Sequence, residues 1–506
     1  MTNQRKTGAL LSYVLLAITN IVGVIYTPFM IRAMGQTEFG LYSLIVATVG
    51  YLTVLDFGIG TTSVRYIAKY RAERNKEAEF GLNGMLLIID ILFGMIVLLA
   101  GIMLFVNIEN LFSATLSFEE VQMARIMTAL LIFNLMITFS LGIFRAIITA
   151  YEKFIFLNVL SIIRVILTPC IMIPLLLFGH GAVAMVTVTT SLNVASLLIT
   201  SIYCFLKLKT KFTFNNFDIS LLKQIGGFSF FIFLNIVVDQ IYWGSGQFIL
   251  GIFSGTAAVA IFAVAVQIIR YFMNFSTAIT GVFLPKLTEM IVQSVPDKDI
   301  SDMFIRIGRI QYIILGLIMS GFILYGSYFI RLWAGDEFST AYYMILIIMI
   351  PLAAPLIQNL GIVILQAKNL HKVRSLALIL ISILNIIISV FLSSFLNGFG
   401  PAIATAVSLF IGNIVFMNIY YHRKMGLDIH QFWKEIGNIT IPIALSLLVG
   451  GLVSLVFSIN DIMTLVLGII SYTLFYICCM WLIGMNEYEK NLFRKRFSRI
   501  KRRDVK

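Results

Sequence analysis

The sequence has few charged residues. Asp, Glu, Lys and Arg make up 12% of the 506 residues, against about 25% in an average soluble domain. Hydrophobic residues make up 59%, and the mean hydropathy is +0.97. The charged residues stand in clusters between long apolar runs, which leaves no room for a soluble catalytic domain. This composition predicts an all-α polytopic membrane protein, because an apolar helix of about 20 residues spans a bilayer core.

Cysteine and histidine are also scarce, with four of each. Cys170, Cys204, Cys478 and Cys479 lie in apolar runs, without histidine at metal-ligand spacing. We therefore interpret them as small hydrophobic side chains, and we predict no disulfide, no metal site and no cofactor. The net charge of +13 does not indicate a nucleic-acid partner, because the basic residues are distributed by membrane topology.

Fourteen apolar runs are each long enough to cross a membrane. They cover approximately residues 9–31, 40–62, 82–107, 123–148, 156–178, 181–206, 222–250, 256–284, 304–331, 341–366, 374–397, 400–421, 437–458 and 461–484. The first run is longer than the apolar part of a signal peptide, and no small-x-small cleavage site follows it. We therefore expect the first run to remain as a membrane span.

Lysine and arginine fall mainly in alternate loops, which predicts the orientation in the membrane. Most of the 37 basic residues belong to the loops on the side of the two termini. The loop after the eighth run, for example, contains Lys286, Lys298, Arg306 and Arg309. This asymmetry predicts cytoplasmic termini. The basic tail from Lys490 to Lys506 is expected to contact anionic lipid headgroups.

The first twelve runs form an internal repeat. Gly35 matches Gly255 at an offset of 220 residues, and Gly142-Ile143 matches Gly361-Ile362 at an offset of 219. Six runs per half is an even number, so both halves have the same orientation, related by an axis along the membrane normal. The predicted domains are an N-terminal six-helix lobe (1–215), a C-terminal six-helix lobe (216–430), two additional helices (431–485) and a basic cytoplasmic tail (486–506).

Polar residues within the later runs form one candidate site, because an ionisable residue in mid-bilayer costs about 2.5–3.5 kcal/mol on insertion scales. Arg270 lies in the middle of the eighth run, and Gln267 and Asn274 share its helical face. A matching stripe in the seventh run contains Asn235, Asp239 and Tyr242. These residues could line a cationic substrate cavity, with Asp239 as an ion-coupling candidate. The alternative is a static Asp239–Arg270 ion pair between adjacent helices.

The earlier runs offer a second set of candidates. Arg164 in the fifth run and Asn20 in the first are substrate-binding candidates, and Asp56 in the second is another ion-coupling candidate. For Arg164 and Asp56 the equal alternative is a side chain that reaches the membrane surface. Asp90 is expected at the interface and Arg145 at the end of a span. Prolines within the runs predict kinks or breaks at positions 28, 169, 174, 351 and 355.

Two motifs resemble those of a known family. The stretch from Tyr26 to Tyr42 reads Tyr-Thr-Pro-Phe-Met-Ile-Arg-Ala-Met-Gly-Gln-Thr-Glu-Phe-Gly-Leu-Tyr. It is followed by Leu55-Asp56-Phe57-Gly58-Ile59-Gly60 and by Arg65-Tyr66-Ile67-Ala68. Both stretches resemble bacterial Wzx-type polysaccharide flippases of the multidrug/oligosaccharidyl-lipid/polysaccharide exporter superfamily. The motifs cover residues 1–80, and the architecture covers the whole chain.

The resemblance implies a MATE-like fold and a transport function. Such proteins move an undecaprenyl-diphosphate-linked oligosaccharide to the outer leaflet for O-antigen, capsule or exopolysaccharide synthesis. They are thought to use a cationic cavity, alternating access and a coupled H⁺ or Na⁺. Polysaccharide polymerase and assembly proteins are the implied protein partners.

Other functions remain open at this level. A lipid II flippase of the superfamily would carry a charged Arg-Asp pair in its first span, whereas residues 8–31 here are uncharged. A MATE-like drug exporter would have an acidic and aromatic cavity. A membrane enzyme of polysaccharide assembly is disfavoured, because the outer loops are short and carry no convergent catalytic groups. A passive assembly partner or scramblase is not distinguished by the sequence.

Overall fold

The computed structural model describes residues 2–214, 219–293, 295–368, 370–396, 398–456 and 461–491. Within these ranges the chain is helical and contains no β-strand. The α-helices are α1 (Thr2–Gly50), α2 (Ile59–Ala72), α3 (Lys76–Phe112), α4 (Phe118–Ser140), α5 (Gly142–Ala150), α6 (Phe154–Leu177), α7 (Ala182–Tyr203), α8 (Ile219–Phe253), α9 (Gly255–Val292), α10 (Asp297–Ala334), α11 (Ala341–Ile357), α12 (Leu360–Ala367), α13 (His371–Leu396), α14 (Phe399–Leu409), α15 (Met417–Met425), α16 (Ile429–Val456) and α17 (Ile462–Cys479). Short 3₁₀ or π-helical segments extend several of them.

Thirteen helical stretches of the described chain are long and apolar enough to cross a membrane. The first stretch, Thr7–Ala72, has 66 residues. At about 1.5 Å per residue, it is roughly three times as long as the hydrocarbon core is thick. It contains the first two predicted runs. The prediction of an all-helical protein that crosses the membrane many times is confirmed.

Gly35 separates those first two runs. Its backbone is non-helical, with φ 76° and ψ 171°, inside an otherwise continuous α1. Gly255 separates α8 from α9 and has a nearly identical φ of 78°. An L-residue adopts such a φ only at an energetic cost, whereas glycine does so freely. The two glycines that the sequence repeat pairs therefore make the same kind of turn.

The predicted prolines do not interrupt their helices. α1 continues through Pro28, α6 through Pro169 and Pro174, and α11 through Pro351 and Pro355. The interruptions lie elsewhere: at residues 57–58 between α1 and α2, at Leu141 between α4 and α5, and at residues 358–359 between α11 and α12. None of these interruptions contains proline, so the helix breaks predicted at proline are wrong, whereas the kinks predicted there stay a prediction.

The chain divides into two compact units. The first contains Met1–Ala263 and Leu378–Ala404, and the second contains Val264–Ala377 and Thr405–Lys506. The division follows packing alone, and the lobe boundaries predicted from the sequence repeat stay a prediction. Most of the predicted basic tail, residues 492–506, lies outside the described residues.

The first unit has an apolar core between α2, α3 and α5. Ile67 of α2, Leu86 of α3 and Ile147 of α5 are fully buried in one apolar cluster. Glu38 of α1 connects this helix to α7, because its carboxylate accepts a hydrogen bond from the backbone N–H of Ala182 at 2.7 Å, at the start of α7. A carboxylate is favourable there, since the first N–H groups of a helix carry a partial positive charge. The cluster holds α2 and α5 side by side.

The second unit contains a buried ion cluster made of Arg309, Glu435 and Glu489. The guanidinium donates from Nε and Nη2 to the two oxygens of Glu489, at 2.7 and 3.0 Å. It also donates from Nη1 to Glu435 Oε2 at 2.5 Å. The cluster ties α10 to α16 and to the segment that follows α17. The sequence predicts that Arg309 lies in a cytoplasmic loop, but the structure places it within α10, where it is only 4% exposed. Burial of this charge is possible because two acidic side chains compensate it.

Candidate functional site

The second membrane span is broken by a strained elbow, which we define as residues 56–58. After α1, one 3₁₀ turn runs from Tyr51 to Asp56, and α2 begins at Ile59. Phe57 and Gly58 both lie in the left-handed region, with φ 48° and 69°. A bulky residue at positive φ is a genuine outlier. A side chain at position 58 would also meet Ile232, since a Cβ built there lies 2.5 Å from its Cγ2.

The elbow presents the carboxylate of Asp56 to the start of α2. The backbone N–H of Gly58, the residue before α2, donates to this carboxylate. Helix starts have several N–H groups without partners inside the helix, and their dipoles favour an anion. The local backbone geometry therefore fixes the position of the Asp56 side chain. Asp56 lies about half-way along residues 35–72, which contain the second span.

The fourth span is broken in a similar way. α4 ends at Ser140, Leu141 leaves the helical conformation with φ −106° and ψ 9°, and α5 begins at Gly142. The carboxylate of Asp90, from α3, accepts the backbone N–H of Ile143. A Cβ built on Gly142 would lie 3.2 Å from Asp90 Oδ2, so the absence of a side chain lets the carboxylate approach the helix start. Asp90 thus stabilises the beginning of α5.

These two helix starts face one cavity of about 400 Å³ in the first unit. Its walls are formed by Thr53, Asp56, Ile59, Gly60, Ser63, Asp90, Phe93, Thr138, Phe139, Gly142, Ile143, Arg145 and Ile236. The carboxyl groups of Asp56 and Asp90 line the same space, and the exposed Arg145 supplies a positive charge. The cavity therefore combines two carboxylates, one guanidinium, hydroxyl groups and two aromatic rings.

Arg164 reaches this cavity through a chain of hydrogen bonds. Its Nη1 donates to Asn193 Oδ1 at 2.6 Å. The amide nitrogen of Asn193 donates to Asn134 Oδ1 at 2.7 Å and to Thr138 Oγ1 at 2.8 Å. Thr138 is part of the cavity wall. The half-buried guanidinium is thus fixed in the bundle, next to the cavity and near the charge of Arg145.

The other predicted residues are not among those that line the cavity. Asn20 is half-buried on α1, Asn235 and Asp239 are exposed on α8, and Tyr242 is buried on α8. Arg270, Gln267 and Asn274 belong to α9 within the second unit, where Arg270 is exposed and Gln267 Nε2 donates to Tyr271 Oη at 2.7 Å. Their binding roles, and the choice between a cavity and an Asp239–Arg270 pair, stay predictions.

The comparisons with known proteins agree with this architecture. Residues 6–291, more than half of the chain, match the family described as "Polysaccharide biosynthesis protein". The chain belongs to the polysaccharide biosynthesis protein family. Over 350 residues this family member is 21% identical to a Shigella flexneri protein with the provisional name of O-antigen transporter. That match covers 66% of this chain and 78% of the relative.

Solved structures resemble this family member in fold. The lipid II flippase MurJ in an inward closed conformation aligns with a TM-score of 0.74 and 16% identity, covering 96% of this chain and all of that one. An inward-facing multidrug resistance MATE family transporter of the MOP superfamily aligns with a TM-score of 0.61 and 15% identity, covering 83% and 96%. These relatives are named transporters and flippases. The fold of this polysaccharide biosynthesis protein is accordingly MurJ-like and MATE-like.

Sequence reasoning missed part of the site in this family member. Asp90, which was expected at the interface, and Arg145, expected at a span end, both line the cavity. The missing information is the break at Leu141, because it lies inside the apolar run 123–148 and hydropathy does not register it. Gly142 is a sequence signal for this break.

Proposed function

We propose that this protein transports a lipid-linked oligosaccharide across the bacterial plasma membrane for surface polysaccharide synthesis. The substrate is an undecaprenyl-diphosphate-linked glycan, moved from the cytoplasmic to the outer leaflet. Membership of the polysaccharide biosynthesis protein family and the likeness to an O-antigen transporter support this proposal. The O-antigen, capsule and exopolysaccharide pathways all use substrates of this chemistry.

The observation that carries the proposal is the polar cavity at two helix breaks. Irregular backbone at membrane depth is tolerated where it is buried in protein or lines a water-filled space. A diphosphate-linked glycan cannot enter hydrocarbon without losing its hydrogen bonds to water, which is costly. Carboxylates of Asp56 and Asp90 can accept hydrogen bonds from sugar hydroxyls, and Arg145 can pair with phosphate oxygens.

Movement by alternating access requires at least two conformations of the bundle. A proton or sodium ion bound at Asp56 or Asp239 would bias them only if its affinity differs between the two states. The basic C-terminal tail would contact anionic lipids from the cytoplasmic side, where we place both termini.

A second candidate is export of a cationic drug, and the acidic part of the cavity favours it. Two carboxylates and the rings of Phe93 and Phe139 face the same space. Cations bind well to such walls, through charge and through contact with aromatic faces. Arg145 and the nearby Arg164 act against a cation, which is why we prefer the anionic glycolipid. Lipid II itself is a further substrate with the same diphosphate chemistry.

Reconstitution into proteoliposomes tests the function. The assay measures how much of a fluorescent undecaprenyl-diphosphate oligosaccharide is protected from a membrane-impermeant quencher. Lipid II and a fluorescent cationic drug are tested in parallel as alternative substrates. Arg145→Gln should lower glycolipid movement about tenfold, since a hydrogen bond to a charged group contributes about 1.5–3 kcal/mol.

Arg125→Gln is the matched control. Arg125 is a half-buried arginine of the same unit, but it pairs with Glu109 at 2.7 Å and is not part of the cavity wall. Equal glycolipid movement by Arg145→Gln and the parent would remove the role of this cavity. Movement of the drug with none of the glycolipid would reject the proposed substrate in favour of the exporter.

A further inference from the structure

A second depression adjoins the polar cavity, and it is apolar. We call it the groove. Its volume is about 400 Å³, in the range that holds a small ligand. The groove is lined by Phe57, Ile59, Ile89, Leu92, Phe93, Ile96, Leu222, Gly226, Ser229 and Phe230. Ser229 is the polar side chain of this set, and its hydroxyl lies 2.7 Å from the hydroxyl of Thr62, so its hydrogen-bonding needs are met locally. None of these described lining residues carries a charge.

The groove and the cavity share a wall. Ile59 and Phe93 line both spaces. The elbow separates the two: Asp56 faces the cavity, and the next residue, Phe57, faces the groove. The ring of Phe57 stacks on Phe233, with centroids 4.6 Å apart, and lies 5.4 Å from the ring of Phe93. These contacts hold the strained residue in place. The result is a charged space and an apolar space on two sides of one turn.

Such a pair of spaces matches an amphipathic ligand whose polar and apolar parts meet at one bond. We propose that the groove binds the isoprene units next to the diphosphate of the transported lipid, while the cavity receives its headgroup. This inference rests on the proposed function and adds a binding site for the polyprenyl chain on α2, α3 and α8. The large exposed side chains at the groove rim, Leu92, Ile96 and Phe230, would lie along the chain.

The expected selectivity is modest. Lipid tails are as apolar as the groove, so transfer from the bilayer provides no hydrophobic gain, and binding depends on close packing. A substitution that fills the groove should therefore remove chain contact without harming the headgroup site.

Two neighbouring glycines of α8 provide a test and its control. Gly226 lines the groove, and Gly227 is absent from its lining. Both are exposed, and a Cβ built on either meets no atom within 4 Å. Both positions have room for a Cβ, and replacing either glycine by leucine raises helix propensity by a similar amount, up to about 1 kcal/mol. Gly226→Leu should fill the groove, whereas Gly227→Leu should not.

The experiment uses the full chain in nanodiscs and a probe with a photoreactive diazirine on the isoprene unit next to the diphosphate. Crosslinked peptides are identified by mass spectrometry. We expect adducts in α3 between Ile89 and Ile96 and in α8 near Phe230. Gly226→Leu should lower this labelling at least about fivefold, and Gly227→Leu should label like the parent.

Three outcomes would overturn the inference: adducts elsewhere, undiminished labelling of Gly226→Leu, or equal labelling by a phospholipid that carries the same diazirine. The last result would make the groove a site for ordinary bilayer lipid.

The proteoliposome assay separates failure of the groove assignment from failure of the proposed function. If the parent moves the glycolipid but the groove is not labelled, the groove assignment alone is wrong. If the parent neither moves nor binds it, both proposals are wrong.

Discussion

Two clusters in this protein have the same charges and different surroundings. Each contains two carboxylates and one guanidinium. In the Arg309 cluster of the second unit, the arginine donates to both glutamates and also to the backbone oxygens of Glu435 and Gly484, at 3.2 and 2.9 Å. Glu489 is 2% exposed. Every charge in this cluster has a partner; Arg309 and Glu489 are buried, and Glu435 is half-buried.

The cluster of the first unit is open. Asp56 and Asp90 each accept a backbone N–H at the start of a short helix, and Arg145 is exposed on the same cavity wall. The comparison teaches that charge composition does not distinguish a structural cluster from a candidate site. What distinguishes them is closure: one set is surrounded by protein, and the other faces a space of about 400 Å³. The predictions below test this distinction, in order of decreasing effect.

The closed cluster should govern stability. Arg309→Leu leaves Glu435 and Glu489 without their partner, and removing one member of a buried ion cluster costs about 3–5 kcal/mol. We expect a large drop in the thermal unfolding temperature of the detergent-solubilised protein. Arg306→Leu is the matched control, because Arg306 is exposed and contacts the ring of Tyr488 at 5.2 Å. Its effect should stay below about 1 kcal/mol.

A triple variant gives the reverse control for the same cluster. Replacing Arg309, Glu435 and Glu489 together by apolar residues removes all the buried charge, so most of the lost stability should return. An unfolding temperature of Arg309→Leu equal to that of the parent would show that the cluster is not structural.

The open cluster should govern transport. Asp90→Asn keeps an oxygen that can accept the N–H of Ile143 but removes the charge from the cavity. We expect an unfolding temperature close to that of the parent and a loss of glycolipid movement of about tenfold, the equivalent of one charge-assisted hydrogen bond. Asp302→Asn, at an exposed position of α10 in the second unit, should leave both measurements unchanged. A large loss of stability without a specific loss of transport would place Asp90 with the closed kind of cluster.

The smallest effect is expected at Gly142. In Gly142→Ala the added Cβ lies 3.2 Å from Asp90 Oδ2, so the carboxylate has to move by a few tenths of an ångström. Such overpacking is tolerated when a side chain can shift, and we expect transport to fall about twofold with little change in stability. Gly60→Ala is the control in the same cavity wall, because no atom lies within 4 Å of its built Cβ. Similar transport by both variants would show that the position of the Asp90 carboxylate is not critical.

The sequence predicted the helical spans well, and the physical reason is simple. About 20 apolar residues in a row have few alternatives to crossing a bilayer. Gly35 and Gly255 were also predictable as turns, because the repeat paired them and glycine adopts positive φ freely. The closed cluster was not predictable, since Arg309 and Glu489 are 180 residues apart and only packing brings them together.

The candidate site was predicted only in part. Asp56 and Arg164 are predicted as ionisable residues within apolar runs, at a depth of about two turns from the cytoplasmic ends. The two helix breaks that turn Asp56 and Asp90 toward a common cavity have no hydropathy signal. Proline predicts such breaks, but α1, α6 and α11 continue through their prolines. The residues of α9, including Arg270, were selected by the same depth argument and stay predictions.

The left-handed backbone of Phe57 has a consequence for motion. That conformation costs an L-residue about 1–2 kcal/mol relative to its right-handed alternative. Any rearrangement of α2 that returned Phe57 to ordinary backbone angles would recover this energy. The elbow therefore lowers the free-energy difference between the present arrangement and others by that amount. For a protein that has to adopt more than one state, the elbow therefore shifts a conformational equilibrium in addition to breaking the helix.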